Sequence, residues 1–170
     1  MADWDVCYNW VLDNEDAARA YAIVPDAPPG AHAISGINSA AYPLQFAKIS
    51  ALPPDQRGVE VENFYQAAFW NKWYAQLASD ELAKRVFDVA VNMGPGTAVK
   101  LLQNAAGCAA DGCWGPATLA AVNAMGDSLV VPFKTARLAH YQAIVKRNPA
   151  LAHYLGTAAN PGPWWARAIK

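Results

Sequence analysis

Apolar positions recur at helical spacing through most of this chain, and no stretch alternates apolar and polar residues with the period of two that marks a strand. The first helical stretch starts near residue 4 and predicts a helix to residue 23, stopping before Pro25. Residues 25–42 break the pattern. They hold three prolines and two glycines and predict an irregular loop, with room for short strands. A short helix at 43–51 stops at Pro53-Pro54, and "VENFYQAAFWNKWYAQL" predicts a longer helix over 58–77. Ser79-Asp80 can cap "ELAKRVFDVAVNM", which Gly94-Pro95-Gly96 interrupts. "TAVKLLQNAAG" ends at Gly107, as a helix C-terminus does. After the turn "DGCWG", Pro116 opens another helix. Residues 127–147 predict a long helix bent at Pro132, and "GPWWARAIK" a last short one. The expectation is an all-α protein with one long irregular loop after its first helix. A loop of that length in a compact domain is usually functional.

Composition narrows the class. With 170 residues, 54% hydrophobic and 16% charged, the chain folds as one domain or two small lobes around a shared core. A net charge of −1 provides no basic field for nucleic acid. No apolar run approaches the roughly 20 residues of a membrane span, and "MADWDVCYNW" lacks the basic start of a signal peptide. Synthesis in the cytoplasm without an export signal or membrane anchor is therefore expected. Cys108 and Cys113 flank a turn and could bridge in an oxidising compartment, whereas Cys7, on an apolar helix face, reads as a buried free thiol. Seven Trp and seven Tyr fill a core, but such rings also line sugar clefts.

Four places carry candidate chemistry. Trp4, Tyr8 and Val11 lie within about 40° of Glu15 around the first helix. Its carboxyl thus leaves an apolar face, where desolvation favours the protonated form that a general acid needs. The alternative is a surface glutamate paired with Arg19. Asp26 reads either as the second carboxylate of a glycosidase pair or as a turn aspartate in "PDAPPG". His32 can orient a water, accept a proton or hydrogen-bond Asp26, or it is a structural loop histidine. Arg85, Asp88 and Asn92 form one polar stripe on an apolar helix and either lock helices together or line a cleft, with Asn92 the better cleft candidate. The histidines and cysteines show no metal-ligand spacing, so neither a metal nor a cofactor is expected.

Glu15; Asp26 with Gly30 and Gly36-Ile37; Phe64-Tyr65 with Phe69-Trp70; Asp88, Asn92 and Gly94; Leu102-Gln103; and "DGCWGPAT", Asp111 to Thr118, occur in this order. Together they resemble glycoside hydrolase family 108, the N-acetylmuramidases of phage and prophage lysis cassettes. Family members carry Glu-Gly-Gly, an Asp-x-Gly-Gly-x-Thr-x-x-Gly-Ile loop, a Phe-Tyr…Tyr-Trp helix and an Asp-x-x-x-Asn-x-Gly helix. A peptidoglycan-binding region closes the family pattern. This chain departs from it where Asp16-Ala17 follow Glu15, and in "DAPPGAH", where His32 stands near the family's threonine.

The resemblance implies a bilobal, lysozyme-like helical fold. A muramidase region at 1–94 is followed by a peptidoglycan-binding region at 95–170, packed as one compact unit. It further implies hydrolysis of the β-1,4 bond between N-acetylmuramic acid and N-acetylglucosamine. Glu15 would be the acid, and Asp26 with His32 would stabilise charge or place water. Tyr42, Tyr65, Trp70 and Asn92 would contact the sugar. The expected partner is bacterial peptidoglycan, met by a monomeric endolysin that reaches the wall after holin-mediated release. A lytic transglycosylase and a non-catalytic wall-binding protein are the alternatives.

Overall fold

A computed structural model describes residues 1–70 and 73–170. The chain has the mostly helical, lysozyme-like fold expected of it, with one small sheet. It divides into two compact units, Trp4–Asn71 and Met1–Asp3 with Lys72–Lys170.

The Trp4–Asn71 unit opens with helix α1, Trp4–Glu15, which buries Cys7, Tyr8, Val11 and Leu12 on one side. It ends at Glu15 rather than at residue 23. Asp16 is the cause: its carboxylate accepts hydrogen bonds from the backbone amides of Ala20 (3.1 Å) and Tyr21 (2.8 Å), a local alternative to continuing the helix. Arg19 and Tyr21 then take left-handed conformations. Arg57, buried, donates to the Tyr21 carbonyl at 2.6 Å and to those of Leu52 and Ser50, pinning this segment to the following helices.

The expected irregular loop contains a three-stranded antiparallel sheet, β1 Val24–Asp26, β2 Ala31–Ile34 and β3 Ile37–Asn38. Ile34 pairs with Ile37 across a two-residue turn in which Ser35 (φ 46°) and Gly36 (φ 78°) are both left-handed, as a tight hairpin requires. Helix α2, Pro43–Ser50, packs on β2, β3 and α3, Arg57–Ala68. The predicted helix over 58–77 ends earlier, at Ala68; its passage through Asn71 and Lys72 lies outside the described residues, and Tyr74–Gln76 form a 3-10 turn. An aromatic layer joins α1 to the α3 end: Trp4 stacks on Tyr8 at 5.2 Å, Trp70 meets Trp4 edge-on at 5.3 Å, and Tyr8 tilts against Tyr65 at 6.0 Å.

In the other unit, α4 (Asp80–Met93) is capped by Ser79, whose hydroxyl accepts from the Leu82 amide at 3.0 Å. It ends at Gly94 (φ 87°) and packs on α5, Pro95–Ala105. Then come α6 (Pro116–Met125), α7 (Val130–Arg147), α8 (Ala152–Leu155) and α9 (Pro163–Ile169). Gly126–Leu129 form a 3-10 turn, so Pro132 sits in the first turn of α7, where a missing amide costs nothing, instead of bending a longer helix. The Arg85–Asp88–Asn92 stripe ties helices together. Asp88 is fully buried between Arg137 of α7 and Arg167 of α9, each at 2.7 Å. Arg85 reaches the Lys170 carbonyl, and the Tyr141 hydroxyl donates to Asn92 at 2.5 Å. Cys7 is buried, and none of Cys7, Cys108 and Cys113 forms a disulfide.

Candidate active site

Glu15 is the last residue of α1 and is half-buried. A Cβ added to Gly36 would stand 2.6 Å from its Oε2 and 2.9 Å from the Tyr65 hydroxyl. Glycine at the exposed tip of the β2–β3 turn is thus what lets the turn close on the Glu15 carboxyl. The Tyr65 hydroxyl donates to the Ser35 carbonyl at 2.7 Å and holds the turn from behind. Arg19, the alternative partner for Glu15 in the sequence, binds Asp13 at 2.6 Å and also contacts Asn9.

Asp26 ends β1 and is exposed, with both carboxylate oxygens fixed. The Ala27 amide donates to Oδ1 at 2.8 Å and the Asn38 side-chain amide to Oδ2 at 2.7 Å. Asn38 also donates to the Ala27 carbonyl and accepts from the Ala40 and Ala41 amides, so it is itself locked. Register separates Asp26 from His32. Asp26 pairs with Ala31 and Pro25 with His32, so alternation along the strands sends the Asp26 and His32 side chains to opposite faces of the sheet. Asp26 lies opposite the start of β2 and Glu15 packs at its far end. The four residue steps from Ala31 to Ser35 amount to about 13 Å of strand.

The aromatic candidates differ in place. Tyr42, half-buried at the start of α2, packs edge-on against Phe64 at 4.8 Å. Trp70 is half-buried against Trp4. Tyr65 is 1% exposed, so its ring backs the Ser35–Gly36 turn and presents no open face. Asn92 belongs to the Lys72–Lys170 unit, with its side-chain oxygen on Tyr141. Sequence reasoning missed Asn38, Ser35 and Asp16. Asn38 directly follows Gly36-Ile37, but only the fold shows that it faces Asp26.

Two ionisable groups of this unit, Tyr8 and Asp16, are perturbed. Burial, then the adjacent Tyr21 phenol and Glu62 carboxylate, push the Tyr8 phenol well above the ordinary tyrosine range, and its buried hydroxyl has no hydrogen-bond partner among the described residues. Burial works to raise the Asp16 carboxyl, but the Ser35 hydroxyl, the Tyr21 and Ala20 amides and Arg19 outweigh it and hold Asp16 below the usual carboxylate value. Among the described residues no group of three or more His, Cys, Asp or Glu side chains could hold a metal ion. None of their helices is long and apolar enough to cross a membrane.

The Glu15 helix end, the Asp26 sheet and the Tyr65 backing all fall inside residues 10–94. That half of the chain matches the glycosyl hydrolase 108 family. Residues 97–160 match a second family, described as a predicted peptidoglycan domain. Comparison with curated proteins gives no match. Among solved structures the chain is similar to that titled "Structure of Brucella abortus SagA", with 24% identity over 98% of this chain and 89% of that one and a TM-score of 0.69, a likeness of fold. The chain belongs to the glycosyl hydrolase 108 family.

Proposed function

We propose that this glycoside hydrolase of peptidoglycan cleaves the β-1,4 bond between N-acetylmuramic acid and N-acetylglucosamine, with Glu15 as the general acid. One observation carries the assignment: Glu15 leaves the end of α1 half-buried, with its carboxyl against the bare Cα of an exposed glycine. A sugar can approach there. Glu15 donates its proton to the leaving glycosidic oxygen. Asp26, oriented by Asn38, stabilises the oxocarbenium-like charge or holds the attacking water. The register favours Asp26 over His32 for this second role. Tyr42 and Trp70, the half-buried rings, line the sugar path; Tyr65 supports it from behind.

The resemblance to muramidases of lysis cassettes supports an endolysin role. In that role the protein is made in the cytoplasm, reaches the wall through a holin lesion and acts as a monomer, without nucleic acid or membrane anchor. Residues 97–160 would hold it on the wall. Digestion of purified peptidoglycan with mass spectrometry of the new ends tests the chemistry. Hydrolysis gives reducing muramic ends, one water heavier than the anhydro ends of a transglycosylase. Glu15→Gln should lose about 10²- to 10⁴-fold in rate. Wall clearing by that variant at the parental rate overturns the assignment.

A further inference from the structure

A short closed circuit surrounds the Glu15 side chain. Glu15 is bonded to Asp16. The Ser35 hydroxyl donates to Asp16 Oδ2 at 2.7 Å. Ser35 is bonded to Gly36, and Gly36 abuts the Glu15 carboxyl. Two links of this circuit are covalent and one is steric, so a single hydrogen bond decides whether it is closed. Both of its partners are well held. Asp16 also accepts the Ala20 and Tyr21 amides. Ser35 is 5% exposed, and its carbonyl accepts the Tyr65 hydroxyl. The family pattern has glycine after the glutamate, a residue with no side chain to make this bond; here Asp16 stands there.

We propose that Asp16 and Ser35 are positioning residues: their hydrogen bond fixes the Ser35–Gly36 turn against Glu15 and so sets the direction in which Glu15 presents its proton. The inference rests on the reading of Glu15 as the acid. A glutamate side chain has three torsions, so the direction of its carboxyl depends on what packs against it. Displacement of an acid by about 1 Å can cost on the order of 100-fold in rate. The closed circuit removes that freedom on the Gly36 side of the carboxyl.

Two variants at one position test this. Ser35→Gly and Ser35→Ala both remove the hydroxyl, but they act oppositely on the backbone. Glycine relieves the left-handed conformation at φ 46°, while alanine keeps it strained. Melting temperature, kcat and KM are measured for both on peptidoglycan, beside the parent and Glu15→Gln. The expected result is a kcat lower by about 10- to 100-fold in both variants, with KM within about twofold of the parent and Ser35→Gly melting above Ser35→Ala. Adding Asp16→Asn, which keeps an acceptor oxygen for the Ala20 and Tyr21 amides, to Ser35→Gly should cost little further kcat, because the Ser35 bond is already gone. If kcat follows melting temperature, so that Ser35→Gly works at the parental rate while Glu15→Gln is inactive, the positioning role is wrong. If Glu15→Gln keeps full activity, the reading of Glu15 fails instead.

Discussion

Oε2 of Glu15 lies 2.6 Å from the point where a methyl group on Gly36 would stand, and the Tyr65 hydroxyl lies 2.9 Å from it. The turn, the helix end and the α3 tyrosine meet at one atom's width. Gly36→Ala should therefore act on both function and stability. A left-handed backbone at φ 78° costs a side-chain-bearing residue about 1–2 kcal/mol, and the methyl group must push Glu15 or Tyr65 aside. A turbidity-clearing assay should show a loss of about 100-fold or more, with a modest fall in melting temperature. Parental clearing by Gly36→Ala would mean that Glu15 does not need the turn.

Asn38 is the residue through which Asp26 is aimed. Asn38→Ala leaves Asp26 with the Ala27 amide alone, and its carboxylate turns freely. A kcat about tenfold lower is expected, smaller than the loss in Asp26→Asn, since general acid–base and charge-stabilising groups are typically worth about 10² or more. His32→Ala should lose less than Asp26→Asn, because His32 occupies the other face of the sheet. Steady-state kinetics on the three variants rank these roles; His32→Ala as the most damaged of them would reverse the assignment.

The Lys72–Lys170 unit is sensitive to acid through Asp88. Burial acts to raise this carboxyl, but Arg167 and Arg137 overcome it and hold its pKa below the ordinary value. A carboxyl lowered in the folded state stabilises fully above its unfolded pKa, about 3.9, and loses that stabilisation as pH falls through the folded value. Melting temperature should thus fall steeply below about pH 4. Asp88→Ala strands two guanidinium groups, one of them buried, at a cost of about 3–5 kcal/mol at neutral pH. A thermal melt within a degree of the parent would show the cluster to be dispensable.

Gln103 explains the spaced pattern in the peptidoglycan-binding region. Its buried side chain donates to Asp111 at 2.8 Å, the Cys113 carbonyl at 3.1 Å and Thr118 at 3.3 Å, and accepts from the Gly112 amide at 2.9 Å. One amide thus organises the whole "DGCWGPAT" turn. Gln103→Leu keeps the volume and removes all four of these bonds, at a cost of about 1–3 kcal/mol. Chemical denaturation should show a lower midpoint, and pull-down with purified sacculi should weaken.

Helical periodicity, proline and glycine stops and the Ser79 cap are local signals, so α2, α4 and the breaks at Gly94 and Gly107 were readable directly. Spaced motifs also singled out Glu15 and Asp26 as candidates, because the residue types a glycosidase needs are few. The end of α1 was not readable. "DAARAYAIV" has helical composition, and what stops the helix is a side chain bonding the backbone four and five residues later. The short strands, for which the loop left room, could not be placed for a related reason: the turn at Ser35 and Gly36 is held by Tyr65 from thirty residues away.

Sequence by itself determined the class of the chain, most of its helical segments and which two carboxylates are the candidates, since each follows from composition or spacing along the chain. Tertiary structure decided what those carboxylates touch. Gly36 against Glu15, Asn38 on Asp26, and Asp88 between two arginines are contacts across turns and between helices, and they depend on how segments fold onto one another. Whether a glutamate is aimed or merely present is a matter of a few ångströms set by such contacts, which spacing along the chain does not encode.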